Sequence, residues 1–454
     1  MGNEALSAVP HLTTAPHGPP LPLETLFLDN QSAIEHWFRT RFTETPAPFY
    51  CSVDLRNSGF KLAPVDTNLY PAGFNNLNPA FESLVVQAVQ SAIAHVCPSA
   101  RNMLLIPENH TRNTYYLENL ATLAALLRAA GLNLRLGTLL PEITEATTLS
   151  LPSGRTVTLE PMVREGNRIR VGDFEPCTVL LNNDLSSGCP PILEGLDQPV
   201  IPPLALGWWK RRKSNHFLHY QTLARNFAEY LDIDPWFIDP AFMTCGKIDF
   251  QKREGEDCLA SSVDFVLEQV TKKYREYGIS HEPFAIVKAD SGTYGMGIMT
   301  VRKSDDVRDL NRKQRAKMAY GKEGQTVSEV LVQEGVYTFE TWEPEHAVAE
   351  PVVCMVDRFV VGGFYRVHRN RGKDENLNAP GSHFEPLAFA DGTEARGASQ
   401  GCDVRAFAEP GTYPDLSGNT NAVPNRFYAY GVVARLALLA AARETQEAGG
   451  VKKL

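Results

Sequence analysis

The sequence predicts a mixed α/β (α+β) fold, and three observations carry the prediction. Strand, helix and strand patterns follow one another between residues 102 and 139, a β-α-β order. The segments 49–77 and 349–368 each read as two strands joined by a glycine-bearing turn, as hairpins do. An amphipathic helix closes the chain from about residue 426. With 454 residues, two or three structural units are expected. A net charge of −9 argues against general nucleic-acid binding, and no apolar run reaches membrane-spanning length. The eight cysteines are irregularly spaced and form no C-x-x-C pair, which fits buried thiols in a reducing, cytoplasmic setting.

Taken in order, residues 1–22 read as a flexible arm and 23–43 as a helix with Trp37, Phe38 and Phe42 on its apolar face. Two strands then meet at a turn over Asn57–Gly59. Asp54 lies on the first strand. Asp66 and Asn68 lie on the second, two apart, so their side chains share a face. Converging acid and amide oxygens suit Mg²⁺, a hard cation, although locally a solvated strand face followed by a proline-glycine loop is the better reading. A helix over 80–98 precedes the β-α-β unit, whose polar loop carries Asn109, Thr111, Arg112 and Asn113. Such loops at strand carboxyl ends hold ligands in open α/β sheets, though helix capping explains part of the pattern. Residues 151–176 resemble a hairpin, and a further strand ends in Asn182, Asn183 and Asp184. The basic run K-R-R-K at 210–213 offers Arg211, Arg212 or Lys213 as a carboxylate or phosphate clamp, or is a charged helix face.

After a proline-delimited linker comes Lys247, then the stretch F-A-I-V-K-A-D-S-G-T-Y-G-M-G at 284–297. Three glycines after a strand ending in Lys288 can close backbone N–H groups over phosphates, and read equally well as a glycine-rich β-turn that binds nothing. The spacing is not that of a P-loop. Residues 303–325 read as helical, Gln333–Val336 as a hinge at the end of a strand, and Gly362–Gly363 as the turn of the second hairpin. Residues 391–424 read as a loop.

The order from Lys247 onward resembles an ATP-grasp ligase: a first ATP lysine (Lys247), a second (Lys288) with its glycine loop, an adenine-reading hinge, and Arg366 followed by N-L-N-A-P-G. The acid-bearing strands that normally end such a domain are found here at the front, with D-x-N in place of E-x-N. The resemblance therefore implies a circularly permuted ATP-grasp-like fold. Its metal-binding strands would lie at 23–80, an inserted βαβ substrate domain at 81–205, a basic helix and linker at 206–245, and the main ATP-grasp domain at 246–454.

Several blocks, among them P-V-D-T-N-L-Y-P-A-G-F, P-E-N-H-T-R-N-T-Y and G-W-W-K-R-R-K-S-N-H-F, resemble the proteobacterial ATP-grasp form of glutamate–cysteine ligase over residues 49–390. That resemblance implies ATP-dependent formation of γ-glutamylcysteine through a γ-glutamyl phosphate. It implies Lys247, Lys288, Ser291, Gly292, Tyr294, Gly295, Gly297, Gln333, Glu334 and Val336 at ATP. Arg366, Lys288 and Asn376 would be catalytic, and Asp54, Asp66, Asn68 and Asp290 would hold Mg²⁺, two ions in all. Asn109, Arg112, Asn113, Arg211 and Asn378 are the candidates for the substrates glutamate and cysteine. Cys245 and Cys354 are read as structural. The alternatives are another carboxylate–amine ligase, such as a glutathione synthetase, and a non-catalytic ATP-binding regulator.

Overall fold

The structure, a computed structural model, describes residues 11–12, 21–292, 297–321, 324–342, 346–387, 389–390 and 426–449. Its described part is a mixed α/β fold organised around three larger sheets.

One six-stranded sheet runs Val200–Ile201, Thr178–Leu181, Asn102–Ile106, Asn133–Thr138, Thr156–Pro161 and Thr147–Ser150. It is parallel except at its last edge. Its central strands are apolar on both faces, as a buried parallel sheet requires; Leu104, Leu105 and Leu180 are fully buried. The β-α-β unit uses helix Thr114–Ala129, capped by Asn113, and Gly131 leaves that helix at φ 93°.

The second sheet is antiparallel, in the order Phe242–Gly246, Glu329–Glu334, Ala285–Ala289, Ile298–Val301. Ala285, Val287 and Ala289 enter one apolar core, which turns Lys288 to the opposite face.

The third sheet joins distant parts of the chain. Its order is His383–Pro386, Phe359–His368, Ala347–Val356, Tyr50–Asn57, Leu62–Asn68. The front hairpin thus pairs with the strand containing Val352, in register with Asp54. Alternation assigns the faces. Cys51, Val53, Leu55, Val353, Tyr365 and Val367 pack in one core with Val432, Val433 and Leu436 of the closing helix, Arg426–Glu447. Asp54, Arg56, Glu350 and Arg366 are left on the other face.

Several expectations are corrected. The helix over 23–43 is two, Pro22–Asp29 and Gln31–Glu44, because the Asn30 amide turns back to the Leu26 carbonyl at 2.9 Å. Residues 303–325 hold two short helices, Asp305–Arg308 and Arg312–Ala319. Where one hairpin was expected over 151–176, there are two, Thr147–Ser150 with Thr156–Pro161 and Val163–Glu165 with Arg168–Arg170. The second large hairpin turns at Asp357–Arg358, with Asp357 at φ 51°, and Gly362–Gly363 lie inside its returning strand. Gly363 is needed for close approach: a Cβ there would run into the Val352 carbonyl and the Leu387 side chain. Within the arm, His11–Leu12 pair antiparallel with Phe389–Ala390. The expected loop at 391–424 lies outside the described residues.

Candidate active site

The second and third sheets face each other across a cavity lined by Lys288, Gln333, Glu334, Val336, Ser291, Gly292, Asn376 and Asn378, and by Asp54, Asp66 and Arg366. Phe284, Ile286, Ile298, Val65 and Val336 give it an apolar wall. Lys288 spans the gap. Its Nζ donates to the Val65 carbonyl at 2.5 Å and to Gln333 Oε1 at 2.8 Å. Burial pulls its pKa down to about 8, against the attraction of Asp66. Of the hinge residues, Glu334 turns its carboxylate away, to Lys61 at 2.9 Å and the Trp236 indole at 3.0 Å. Gln333 Nε2 is buried without a partner.

The opposite wall is a row of charges in register. Asp54 pairs with Asp66, and Glu350 with Arg366. One Arg366 guanidinium nitrogen donates to Asp54 Oδ2 at 2.9 Å and Glu350 Oε1 at 2.5 Å, and Arg56 Nε donates to the other Glu350 oxygen at 3.0 Å. Lys213 Nζ donates to both oxygens of Asp66, at 2.6 and 2.7 Å. Burial, only partly offset by Arg366, raises the Asp54 pKa. Burial would raise Asp66 as well, but Lys213 and Lys288 hold it below the usual carboxylate range. Among the described residues no three His, Cys, Asp or Glu side chains are grouped closely enough to cage a metal by themselves. The carboxylates of Asp54, Asp66 and Glu350 line the cavity and are of the kind that Mg²⁺ takes, one or two carboxylates with phosphates and water completing its shell.

A second cavity of about 280 Å³ opens from the same junction, because Asp54, Asp66, Arg366 and Asn378 line both. Its far wall holds Tyr70, Glu108, Asn113, Tyr115, Asn182, Asp184 and Trp208. Asn68 lines this cavity and not the first, with its amide bonded to the backbone of Tyr70.

Other predicted residues are placed elsewhere. Asp290 lines neither cavity; its two oxygens accept from Ser214 N and Oγ at 2.7 and 2.6 Å, capping helix Lys213–Tyr230, so the expected metal ligand is corrected to a helix cap. Arg211, expected at a substrate carboxylate, is buried against Glu444 at 3.0 and 2.9 Å and the Thr67 carbonyl at 2.7 Å. It locks the closing helix to the site sheet. Burial holds His216 neutral, so its ring donates to Glu444 at 2.7 Å while Arg211 carries the balancing charge. Asn109 and Arg112 are exposed and line neither cavity, since their loop turns outward. Lys247 is also exposed and outside both, at φ 61° just past its strand. Gly297 does not line the first cavity, and Tyr294 and Gly295 lie outside the described residues.

Of the basic run, Arg211, Arg212 and Lys213 are each paired to an acid, and it is Lys213 that reaches the cavity. Burial pushes the Cys354 and Cys245 thiols up to about 12, which leaves them inert as nucleophiles near neutral pH. Glu350, Arg56, Tyr70 and Trp208 were missed in the sequence. A signal existed for Glu350, a lone acid entering an apolar strand.

A family model described as glutamate–cysteine ligase matches residues 24–445. The crystal structure of a candidate gamma-glutamylcysteine synthetase from Methylobacillus flagellatus KT is similar at 59% identity and TM-score 0.82, over 97% of this chain and 99% of that one. A glutathione synthetase-like effector from Globodera pallida (10% identity, TM-score 0.35, 80% and 78% covered) and a D-alanyl-alanine synthetase A from Vibrio cholerae (12%, 0.29, 65% and 75%) are far more distant. No curated protein matches the chain. Matched over nearly its whole length, the chain belongs to the glutamate–cysteine ligase family.

Proposed function

We propose that the chain joins the γ-carboxylate of glutamate to the amine of cysteine with ATP, in an ATP-grasp-like site completed by circular permutation. One observation carries this reading: two cavities, one flanked by Lys288 and the hinge, the other lined by polar side chains, meet at Asp54, Asp66, Arg366 and Asn378. A two-substrate phosphoryl transfer needs that arrangement. The permutation reading is supported by the pairing of the front hairpin with the strand beside Arg366.

A carboxylate is a poor electrophile, so the γ-carboxylate of glutamate first attacks the γ-phosphorus of ATP. ADP leaves, and γ-glutamyl phosphate remains. The cysteine amine then attacks the acyl carbon, and inorganic phosphate departs. The apolar wall of Phe284, Ile286 and Ile298 suits the adenine ring, and the 333–336 backbone its edge. Lys288 meets phosphate oxygens. Arg366 sits at the junction, where charge moves between the two substrates. Asp54, Asp66 and Glu350 would hold Mg²⁺, which supplies charge neutralisation at the phosphates when bound.

The reading is tested by ADP release across amino-acid pairs. Glutamate with cysteine is expected to drive turnover, and γ-glutamylcysteine with glycine is not. Asp66→Asn is expected to lower turnover about 10²–10³-fold with the fold intact. Wild-type turnover in that variant would remove Asp66 from the site. Nucleotide binding without amino-acid-dependent ADP release would instead favour a regulator.

A further inference from the structure

We infer that Cys245 and Cys258 are a reversible redox pair: a low-molecular-weight disulfide such as cystine converts the two thiols to one protein disulfide, which ties the edge strand of the second sheet to the helix that follows it. Neither cysteine lines a cavity of the candidate active site, so the pair stands apart from the ligase reading. Cystine is the natural probe, being the oxidised form of the amino acid which that reading makes a substrate.

The backbone alone brings the pair together. Strand Phe242–Gly246 is the outer strand of its sheet, and helix Glu256–Glu276 follows after a short connection. That connection closes on itself: Asp249 and Glu254 exchange both backbone hydrogen bonds at 3.1 Å. Gly255, at φ 81°, lies so close to the Lys247 carbonyl that a Cβ on it would stand 2.9 Å away. Counted outwards from the Asp249–Glu254 pair, Cys245 and Cys258 are each four residues away, one near the end of the strand and one in the first turn of the helix.

The sulfurs meet as that closure dictates. The two Sγ atoms are 2.6 Å apart, and both thiols are free. Cys245 is 2% exposed and packs in one core with Leu259, Ala260 and Val263 of the helix, whereas Cys258 is exposed. A disulfide needs two backbones that already face each other with their sulfurs in reach, and this pair has both.

Exposure sets the order of events. Cys258, as thiolate, attacks one sulfur of cystine; the S–S bond breaks, one cysteine leaves, and a mixed disulfide remains on Cys258. Cys245 cannot make the first attack, since burial and its hydrogen bond to Cys258 hold its thiol at about 12. The mixed disulfide removes that hydrogen bond and puts an electrophilic sulfur in contact with Cys245, so proximity replaces a high thiolate fraction. Cys245 then loses its proton and attacks the Cys258 sulfur, and the second cysteine leaves. In sum, two protein thiols and one cystine give one protein disulfide and two cysteines. Two electrons pass to cystine, and the two thiol protons end on the released cysteines. Excess cysteine reverses the exchange.

The test incubates the full-length, reduced protein with cystine at about pH 8 without oxygen, alkylates the remaining thiols and maps the peptides by mass spectrometry. Cys245 and Cys258 should be recovered as one linked peptide pair, and excess cysteine should return both thiols. Cys245→Ala should stop at a stable cysteinyl adduct on Cys258, and Cys258→Ser should leave Cys245 unmodified. The linked protein should melt about 2–6 °C above the reduced one, since the bridge restrains a short loop of the unfolded chain, and Cys258→Ser should show no such shift. A wild-type protein that accumulates the adduct without linking, links Cys258 to any other cysteine (Cys402 included), or stays reduced overturns the inference. So does a linked form that melts below the reduced one, which would mean that strand and helix must shift apart from their present places to join.

Discussion

Lys288 offers a test of the site that is independent of turnover. The residue is 5% exposed, and burial brings its pKa to about 8 in the folded chain. The unfolded value is about 10.4, so charged Lys288 costs the folded state about 3 kcal/mol near neutral pH. The sign follows from proton counting. Above pH 8 the folded chain sheds this proton while the unfolded chain keeps it until about pH 10, so the lysine's cost is relieved as pH rises. Lys288→Met removes the titration. The assay is urea unfolding of both proteins from about pH 7 to 9.5, reading wild-type minus variant stability. That difference should rise by about 2 kcal/mol over the interval, and by about 3 once the unfolded chain also titrates. Unpairing Gln333 and the Val65 carbonyl lowers the variant by a largely constant amount, which subtracts out. The variant should also lose the thermal shift given by ATP with Mg²⁺. A flat difference across the interval would refute the buried, strained lysine, whatever the activity.

Two further predictions concern the frame. Glu444→Gln should destabilise the protein by about 3–5 kcal/mol at pH 7, since it leaves Arg211 buried and uncompensated. Arg211 and His216 hold the Glu444 pKa at about 2 despite burial, so this contribution is complete above pH 4.5 and fades as pH falls towards 2. Acid unfolding that begins at the same pH in both proteins would contradict it. Gly363→Ala should cost about 1–3 kcal/mol by denaturant midpoint, because its Cβ would run into the Val352 carbonyl, which is backbone and cannot rotate away, as well as the Leu387 side chain; an unchanged midpoint would show that the two strands can separate without penalty.

The legible residues were those whose type is odd for their position. Asp54 and Asp66 are acids in apolar strands, and Lys288 precedes three glycines. Glu350 was equally odd but hidden by register. Turning the hairpin at Gly362–Gly363 puts residues near Phe359 opposite Arg366, whereas the true turn at Asp357–Arg358 puts Glu350 there. In the basic run, composition cannot say which cation points inward. That depends on the helix starting at Lys213 and on Glu444 waiting 233 residues away for Arg211. Asp290 was misread because a carboxylate after a glycine-loop lysine can serve a metal or a helix N-terminus, and sequence does not distinguish them. Tyr70 and Trp208 carry their polar atoms on apolar bodies, so patterning reads them as core.

The pairing of the front hairpin has a consequence for how the protein is made. Arg56 and its partner Glu350 are 294 residues apart. At about 5–20 residues per second, roughly 15–60 s of translation separates the two strands. Throughout that interval the Tyr50–Asn57 strand has one neighbour, Leu62–Asn68, and an open edge where Ala347–Val356 will later dock. The nascent chain thus carries its acidic strands unfinished on the ribosome, and the charges of Asp54 and Arg56 at that edge discourage it from pairing with another copy in the meantime.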